Sequence, residues 1–406
     1  MGSNGHRPRE RRGVVITGVG AVTPLGIGAR TLFDRWTAGV CAIDGGVARC
    51  EDFDPRDTLS KKELRRTDRY TQFAIVAAEE AVRQAGWDGE LPYPADRIAT
   101  VTGTGIGGVT TLENNVERRL RGERISAYAI ASVMPNAASA AASLRYGLKG
   151  PNFSVVSACA AGAHAIGTAM RLIEEGEADA AITGGAEAPH APTTQAGFET
   201  MGAISPSGTA RPFDARRDGF VMGEGSAMLV LEEAEAARRR GAHVLGELVG
   251  YGATDDAFNI AIPEPNGRGA ARAMRLALED AGLAPEAVSY VNAHGTSTPV
   301  GDVSETEAIK TALGDHAMRT PVSSLKSSIG HSLGASGAIE AVATLLAMRE
   351  RVLPPTLGWE EAEEGLDLDY VPERARPLEG ANGDGAVAIS NSFGFGGHNA
   401  VLCLVA

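Results

Sequence analysis

Short β-rich runs alternate along this chain with longer stretches of helical spacing. Val14, Val15 and Ile16 form the first run, and Gly18 and Gly20 are expected to stop a strand over 13–17. A helix is expected over 31–38. A single long helix is expected over 62–84, where Phe73, Val76, Ala77 and Ala81 recur on one side. Residues 97–102 read as a strand running into the glycine cluster Gly103 to Gly108. Residues 153–157, 180–183 and 320–324 read as further strands, with helices over 162–175, 304–313 and 335–349. Asp302 or Ser304 is the expected cap of the 304–313 helix, and 380–385 reads as a loop before the last strands. Strand–helix alternation of this kind predicts packed α/β layers.

Two of these segments can be laid over each other. Cys159 is followed by Gly162 at +3, and His331 by Gly334 at +3, each near the start of a helix rich in small residues. The repeat is weak, but it suggests two similar halves, each setting one reactive residue at a helix N-terminus. The expected organisation is a disordered lead over 1–12, a first half over 13–250 carrying the cysteine, and a second half over 251–406 carrying two histidines.

Charge narrows the function classes. The chain has 406 residues and a formal net charge of −13. It lacks the basic footprint of a nucleic-acid binder, and an anionic partner has to meet a local basic patch. No secretory signal or long apolar span is visible, so a cytoplasmic protein with no membrane partner is expected. The four cysteines, Cys41, Cys50, Cys159 and Cys403, form no CxxC pair and no zinc spacing with histidine. Free thiols and no metal are expected.

Four segments carry candidate chemistry. Cys159 lies in Val-Val-Ser-Ala-Cys-Ala-Ala-Gly between a strand and a helix. A helix N-terminus stabilises a thiolate, the nucleophilic form, although free cysteine also packs as a small buried hydrophobe. His294, in Asn-Ala-His-Gly-Thr-Ser-Thr-Pro, and His331, in Lys-Ser-Ser-Ile-Gly-His, both sit on turns leaving strands. Lys326, Asp302 and Glu305 are the charged residues able to orient the imidazoles and set their protonation, helix capping being the plainer account of Asp302. The tail Asn-Ser-Phe-Gly-Phe-Gly-Gly-His can present backbone N–H donors to an oxyanion, or be a plain tight turn. Gly103-Thr-Gly105-Ile-Gly107-Gly108 meets a dinucleotide spacing, but the strand before it is not near the N-terminus. The acidic residue about 20 positions on, Glu123, falls in a charged run, so a nucleotide site is not expected.

Taken together, these motifs resemble the elongating β-ketoacyl-acyl-carrier-protein synthases, from Val-Ile-Thr-Gly-Val-Gly at 15–20 to the Gly-Phe-Gly-Gly loop at 394–397. The resemblance implies a thiolase-like fold of two pseudo-repeated halves in αβαβα layers, usually a dimer. It implies Cys159 as nucleophile, His294 and His331 as the pair that promotes malonyl decarboxylation, and Lys326 and Glu305 as supporting charges. Thr296 and Thr298 would contact a phosphopantetheine arm, which belongs to the carrier, so the protein would hold no cofactor of its own. Phe395 would gate the site and share an oxyanion hole with Cys159. Phe198 would line the far acyl pocket, with Ile106 there too, near a partner subunit. Lys61, Lys62, Arg65 and Arg66 would dock an acidic acyl carrier protein, although Glu63 and Asp68 are interleaved with them and a solvated helix face reads the same way. A degradative thiolase would need a second reactive cysteine near the tail loop, where His398 stands. The Cys-His-Asn starter class has no histidine at the position of His331, and a chain-length factor lacks the cysteine. His398 and Ser336 stand where Thr and Ala are frequent. Fatty-acid or polyketide synthesis, and a homodimer or a pairing with a chain-length-factor homologue, both stay open.

Overall fold

The computed structural model describes residues 11–87, 89–379 and 385–406. Five strands along the path of the main sheet belong to its first half: β1 (Val14–Thr23), β2 (Ile98–Gly103), β3 (Asn152–Val155), β4 (Ala180–Glu187) and β5 (Gly225–Glu233). Five more follow: β6 (Gly246–Asp255), β7 (Val288–Asn292), β8 (Val322–Ser323), β9 (Val387–Gly394) and β10 (His398–Val405). The helices that matter here are α1 (Arg69–Gln84), α2 (Ala161–Glu174), α3 (Arg268–Ala281), α4 (Pro299–Leu313) and α5 (Ser336–Glu350).

The strands lie in the order β8-β7-β9-β10-β6-β1-β5-β4-β2-β3. Within each half this is the third, second, fourth, fifth and first strand of that half. The directions repeat as well. The third, second and fourth strands are parallel, and the fourth, fifth and first are antiparallel, in both halves. The two first strands join the halves through Val15 with Glu247 and Ile16 with Gly246. The second set therefore begins at Gly246, and a division of the chain at 250 cuts through its first strand.

Side-chain alternation along the strands sorts the core into three slabs. Leu229 and Leu231 of β5 and Leu402 of β10 face a central slab built on Ile166 and Met170 of α2 and Ile339 and Leu345 of α5. Met228 and Val230 face an outer slab with Phe73 and Ala77 of α1. Val401 and Cys403 face the other outer slab with Met274 of α3 and Ile309 of α4. The result is helix, sheet, helix, sheet, helix: a thiolase-like fold.

Glycine placement explains the first departure from the sequence reading. β1 runs straight through Gly18 and Gly20. A Cβ on Gly18 would stand 2.0 Å from the carbonyl oxygen of Ala81, and one on Gly20 2.0 Å from that of Ala77. The glycines let α1 lie directly on the strand instead of ending it. The second half repeats the device, with Gly250 and Gly252 of β6 at 2.1 and 2.0 Å from the carbonyls of Ala277 and Ala273 of α3.

α2 and α5 cross at the centre through small residues. A Cβ on Gly162 would meet the nitrogen of Ala338 at 2.9 Å, and one on Gly337 would meet that of Ala163 at 2.8 Å. Each helix follows, three residues on, a non-glycine residue with positive φ: Ala158 (49°) and Leu333 (43°). The structural register thus pairs Gly162 with Gly337 and Cys159 with Gly334. It corrects by three residues the overlay of Cys159 on His331.

Three further expectations are corrected. The 62–84 segment is two helices, the short Lys61–Leu64 and α1, because Ser60 and Glu63 form a capping box for the first and Asp68 caps the second through Tyr70 N–H. α4 starts at Pro299, five residues early, with Thr298 as its cap in place of Asp302 or Ser304. Of the expected lead, 1–10 and most of the 380–385 loop lie outside the described residues, whereas Arg11 and Arg12 are tied to Asp280 and Asp179. All four cysteines are free. Among the described residues no helix is long and apolar enough to cross a membrane.

Candidate active site

The chain reversals that close β3, β7 and β8 bring their residues to one cavity of about 310 Å³. Cys159, His294 and His331 all line it, together with Thr296, Thr298, Phe198 and Phe395. Cys159 is 8% exposed, presented by the strained left-handed turn at Ala158. Burial pushes its thiol up to about 12, and Glu187 adds to this, while the Lys326 cation and the N–H groups of Phe395 and of Cys159 itself pull the other way. The thiolate favoured by a helix N-terminus is therefore not the resting form here. Desolvation outweighs the dipole, and the sulfur is held as a thiol with two backbone donors already aimed at it.

His294 and His331 face each other with ring centroids 5.3 Å apart and planes at 86°. Both are held well below the ordinary histidine range, first by burial and then by the charge of Lys326. Both are neutral near pH 7. Phe220 packs edge-on against His331 at 5.5 Å and Phe393 against His294 at 5.6 Å, shutting water from the pair. Nδ1 of His331 lies 2.9 Å from Ser336 Oγ, whereas Nδ1 of His294 is buried with no hydrogen-bond partner.

The two supporting charges act differently from a contact to the rings. Glu305 accepts from the backbone N–H of His294 at 2.8 Å and of Gly295 at 2.7 Å, and from Asn391 Nδ2 at 3.0 Å. It holds the turn that carries His294. Lys326 pairs with Glu340 of α5 at full burial, and burial pushes the Glu340 carboxyl up to about 7 against the pull of Lys326. Asp302 accepts from Phe213 and Ser297 N–H groups and fixes the loop between His294 and α4. Thr298 caps α4, and its hydroxyl lies 3.0 Å from that of Thr296 at the cavity wall. In the sequence reading Glu340 has no role, Asn391 appears only within the tail motif, and Asp302 is not tied to the loop it fixes here.

Phe198 stacks edge-on against Phe220 at 5.3 Å and tilts towards Phe395 at 6.2 Å, so the expected gate and pocket residues meet. In the single chain Ile106 is 36% exposed and does not line this cavity; its expected place is near a partner subunit, and its loop has an internal task as well. The buried carboxylate of Glu187 accepts from the N–H groups of Gly105, Ile106 (3.1 Å), Gly107 (3.3 Å) and Gly334 (3.0 Å), and from Thr104 Oγ1 (3.0 Å). The glycine cluster is thus an anion nest, but the anion is internal.

Lys61, Lys62, Arg65 and Arg66 are exposed. The interleaved acids do not neutralise them, because Glu63 turns to Ser60 and to Arg145 at 2.7 Å and Asp68 is buried under α1. Arg66 stacks on Tyr128 at 4.7 Å, while Lys61, Lys62 and Arg65 have no ion-pair partner among the described residues.

Family models match this arrangement over most of the chain: the β-ketoacyl synthase N-terminal domain over residues 44–237 and its C-terminal domain over 245–360. The chain belongs to the β-ketoacyl synthase family. It is 48% identical to a 3-oxoacyl-[acyl-carrier-protein] synthase 2 of Synechocystis sp., over 97% of this chain and 98% of that protein. It is 44% identical to the protein of that name from Staphylococcus aureus, again over 97% and 98%. Among solved structures, a β-ketoacyl synthase from Burkholderia phymatum superposes with a TM-score of 0.88 at 35% identity, covering 97% of this chain and 99% of that one. A type II polyketide ketosynthase, in complex with its acyl-carrier protein and bound to a hexaketide, superposes with a TM-score of 0.87 at 30% identity, covering 98% and 99%. The chain is accordingly an acyltransferase of the condensing type, a β-ketoacyl-acyl-carrier-protein synthase.

Proposed function

We propose that Cys159, His294 and His331 carry out a decarboxylative Claisen condensation between an acyl chain and malonyl-acyl-carrier protein, in fatty-acid elongation. The observation that carries this reading is the convergence of one thiol and two neutral imidazoles in a single apolar cavity, with backbone donors aimed at the sulfur. Cys159 attacks the acyl thioester and the carrier thiol leaves. The thiol proton passes to the departing carrier sulfur as the new C–S bond forms and the old one breaks, since the resting sulfur is not ionised. The N–H groups of Cys159 and Phe395 take the developing oxyanion, each such donor contributing roughly 3 kcal/mol. Malonyl-carrier then enters, loses carbon dioxide, and places negative charge on its thioester oxygen. Two uncharged imidazole N–H groups in a desolvated site suit that charge. The enolate carbon attacks the acyl–Cys159 carbonyl, the new carbon–carbon bond forms and the C–S bond breaks, and the released sulfur takes a proton from solvent to return to the resting thiol.

Thr296 and Thr298, at the cavity wall, would steady the phosphopantetheine arm brought by the carrier. The chemistry assigned here draws on no metal or redox group. The Lys61, Lys62, Arg65 and Arg66 patch supplies the positive potential that steers an acidic carrier to a protein of net charge −13. A second copy of this chain is the proposed cover for the free edge of β3, where Phe153 and Val156 are 39% and 53% exposed. Identities of 44–48% to 3-oxoacyl synthases, against 27–32% to a type II polyketide ketosynthase and to ketosynthases paired with a chain-length factor, favour the fatty-acid reading.

Two half-reactions test the assignment. Intact mass spectrometry of the enzyme with an acyl-carrier should show an acyl adduct that Cys159→Ala abolishes. His294→Ala and His331→Ala should keep the adduct but lose carbon dioxide release from malonyl-carrier. Normal release in both histidine variants would contradict the roles given to them.

A further inference from the structure

His294 and His331 look equivalent in sequence, yet the structure holds them differently. Ser336 is 3% exposed and stands at the first position of α5, with its Oγ 2.9 Å from Nδ1 of His331. His294 has no such anchor on its Nδ1. A neutral imidazole carries one N–H, and the partner of one nitrogen decides which nitrogen bears it. The serine hydroxyl can donate or accept, so the surroundings decide. The start of α5 turns the positive end of its macrodipole towards Nδ1, which favours a lone pair there over a proton.

We propose that Ser336 is a positioning residue, whose hydroxyl donates to Nδ1 of His331 and locks the tautomer that carries its proton on Nε2, the nitrogen left to the cavity. His331 thereby stands ready as an N–H donor to the oxygen that gains charge when malonyl is decarboxylated. The opposite tautomer would turn a lone pair on that oxygen and repel it. Ser336 touches no reacting atom and acts only through His331. This inference rests on the condensation reading given above, and it adds a residue that the sequence motifs leave without a task.

Three readouts test it: the imidazole 15N resonances of His331, assigned by their loss in His331→Asn; carbon dioxide release from malonyl-carrier; and acylation of Cys159. The wild-type protein should show an unprotonated Nδ1 on His331. Ser336→Ala should release carbon dioxide about five- to tenfold more slowly, the loss of one buried hydrogen bond, and its His331 resonances should report mixed tautomers. Cys159 acylation should stay within about twofold, because no step of it uses this bond. Ser336→Thr, which keeps the hydroxyl, should restore decarboxylation. A wild-type spectrum with the proton on Nδ1, or Ser336→Ala releasing carbon dioxide at the wild-type rate, overturns the proposal. Equal loss of both half-reactions in Ser336→Ala also overturns it, as damage to the fold. If the wild-type protein itself releases no carbon dioxide, the condensation reading fails, while the 15N spectrum still decides the Ser336–His331 bond.

Discussion

Replacing Glu187 by Gln removes one charge and almost no volume, and it strikes the point where the halves meet. Oε1 accepts from Thr104, Ile106 and Gly107, and Oε2 from the N–H groups of Gly105 and Gly334. Gln keeps one acceptor oxygen. With that oxygen turned to the three donors, its NH2 faces the other two N–H groups, which are left buried without an acceptor. Each such group costs about 1–3 kcal/mol, so the loss is about 2–6 kcal/mol before relief from carboxylate burial, the main effect raising the Glu187 pKa, is subtracted. A net destabilisation of roughly 2–4 kcal/mol is expected, a large share of the 5–15 kcal/mol typical of a folded protein. Urea unfolding followed by circular dichroism measures it as a lower midpoint at unchanged slope, with the exposed Glu199→Gln as the control within about 0.5 kcal/mol. A Glu187→Gln midpoint indistinguishable from that control would refute the nest.

Three other outcomes follow from the site. Because burial holds the Cys159 thiol near 12, its alkylation by iodoacetamide should keep rising about tenfold per pH unit from roughly pH 7 to 10; a plateau below about pH 8 would contradict a buried thiol. Lys326→Met strips the cation from buried Glu340 and should cost about 3–5 kcal/mol in the same urea assay. It should also move the protonation of His294 and His331 towards the ordinary range, and unchanged imidazole titration by NMR would refute that coupling. Reversing Lys61, Lys62 and Arg65 to Glu should raise KM for acyl-carrier and flatten its salt dependence while leaving turnover of a small acyl thioester unchanged; equal effects on both donors would remove the docking role.

The three positions that meet in the cavity, Cys159, His294 and His331, stood out in the sequence because each follows a strand in a run of small and polar residues, where local chemistry and local structure coincide. Glu187 was not. It ends an apolar strand, and its meaning comes from Gly105 and Gly334, which reach it from other parts of the chain. Glu340 was hidden in the same way, since a lone acid in a helix of small and apolar residues has no visible partner until Lys326 is seen beside it. Gly18 and Gly20 misled because propensity registers a missing side chain, not the helix lying on it. The offset in the repeat was avoidable: Ala160-Ala161-Gly162-Ala163 and Ala335-Ser336-Gly337-Ala338 share the Ala-x-Gly-Ala pattern that the helix crossing uses. The second task of the glycine loop, five hydrogen bonds to Glu187 from this loop, Thr104 and Gly334, was not legible for the same reason as Glu187 itself.

The measurement that bears most directly on the condensation is the intact mass of the carrier protein after the purified enzyme meets acyl-carrier and malonyl-carrier. A β-ketoacyl-carrier two carbons longer than the acyl donor, formed by the wild-type chain and absent with Cys159→Ala, is the predicted result. Elongation that persists without Cys159, or a folded wild-type enzyme that takes up the acyl group and never makes the longer product, would contradict the account.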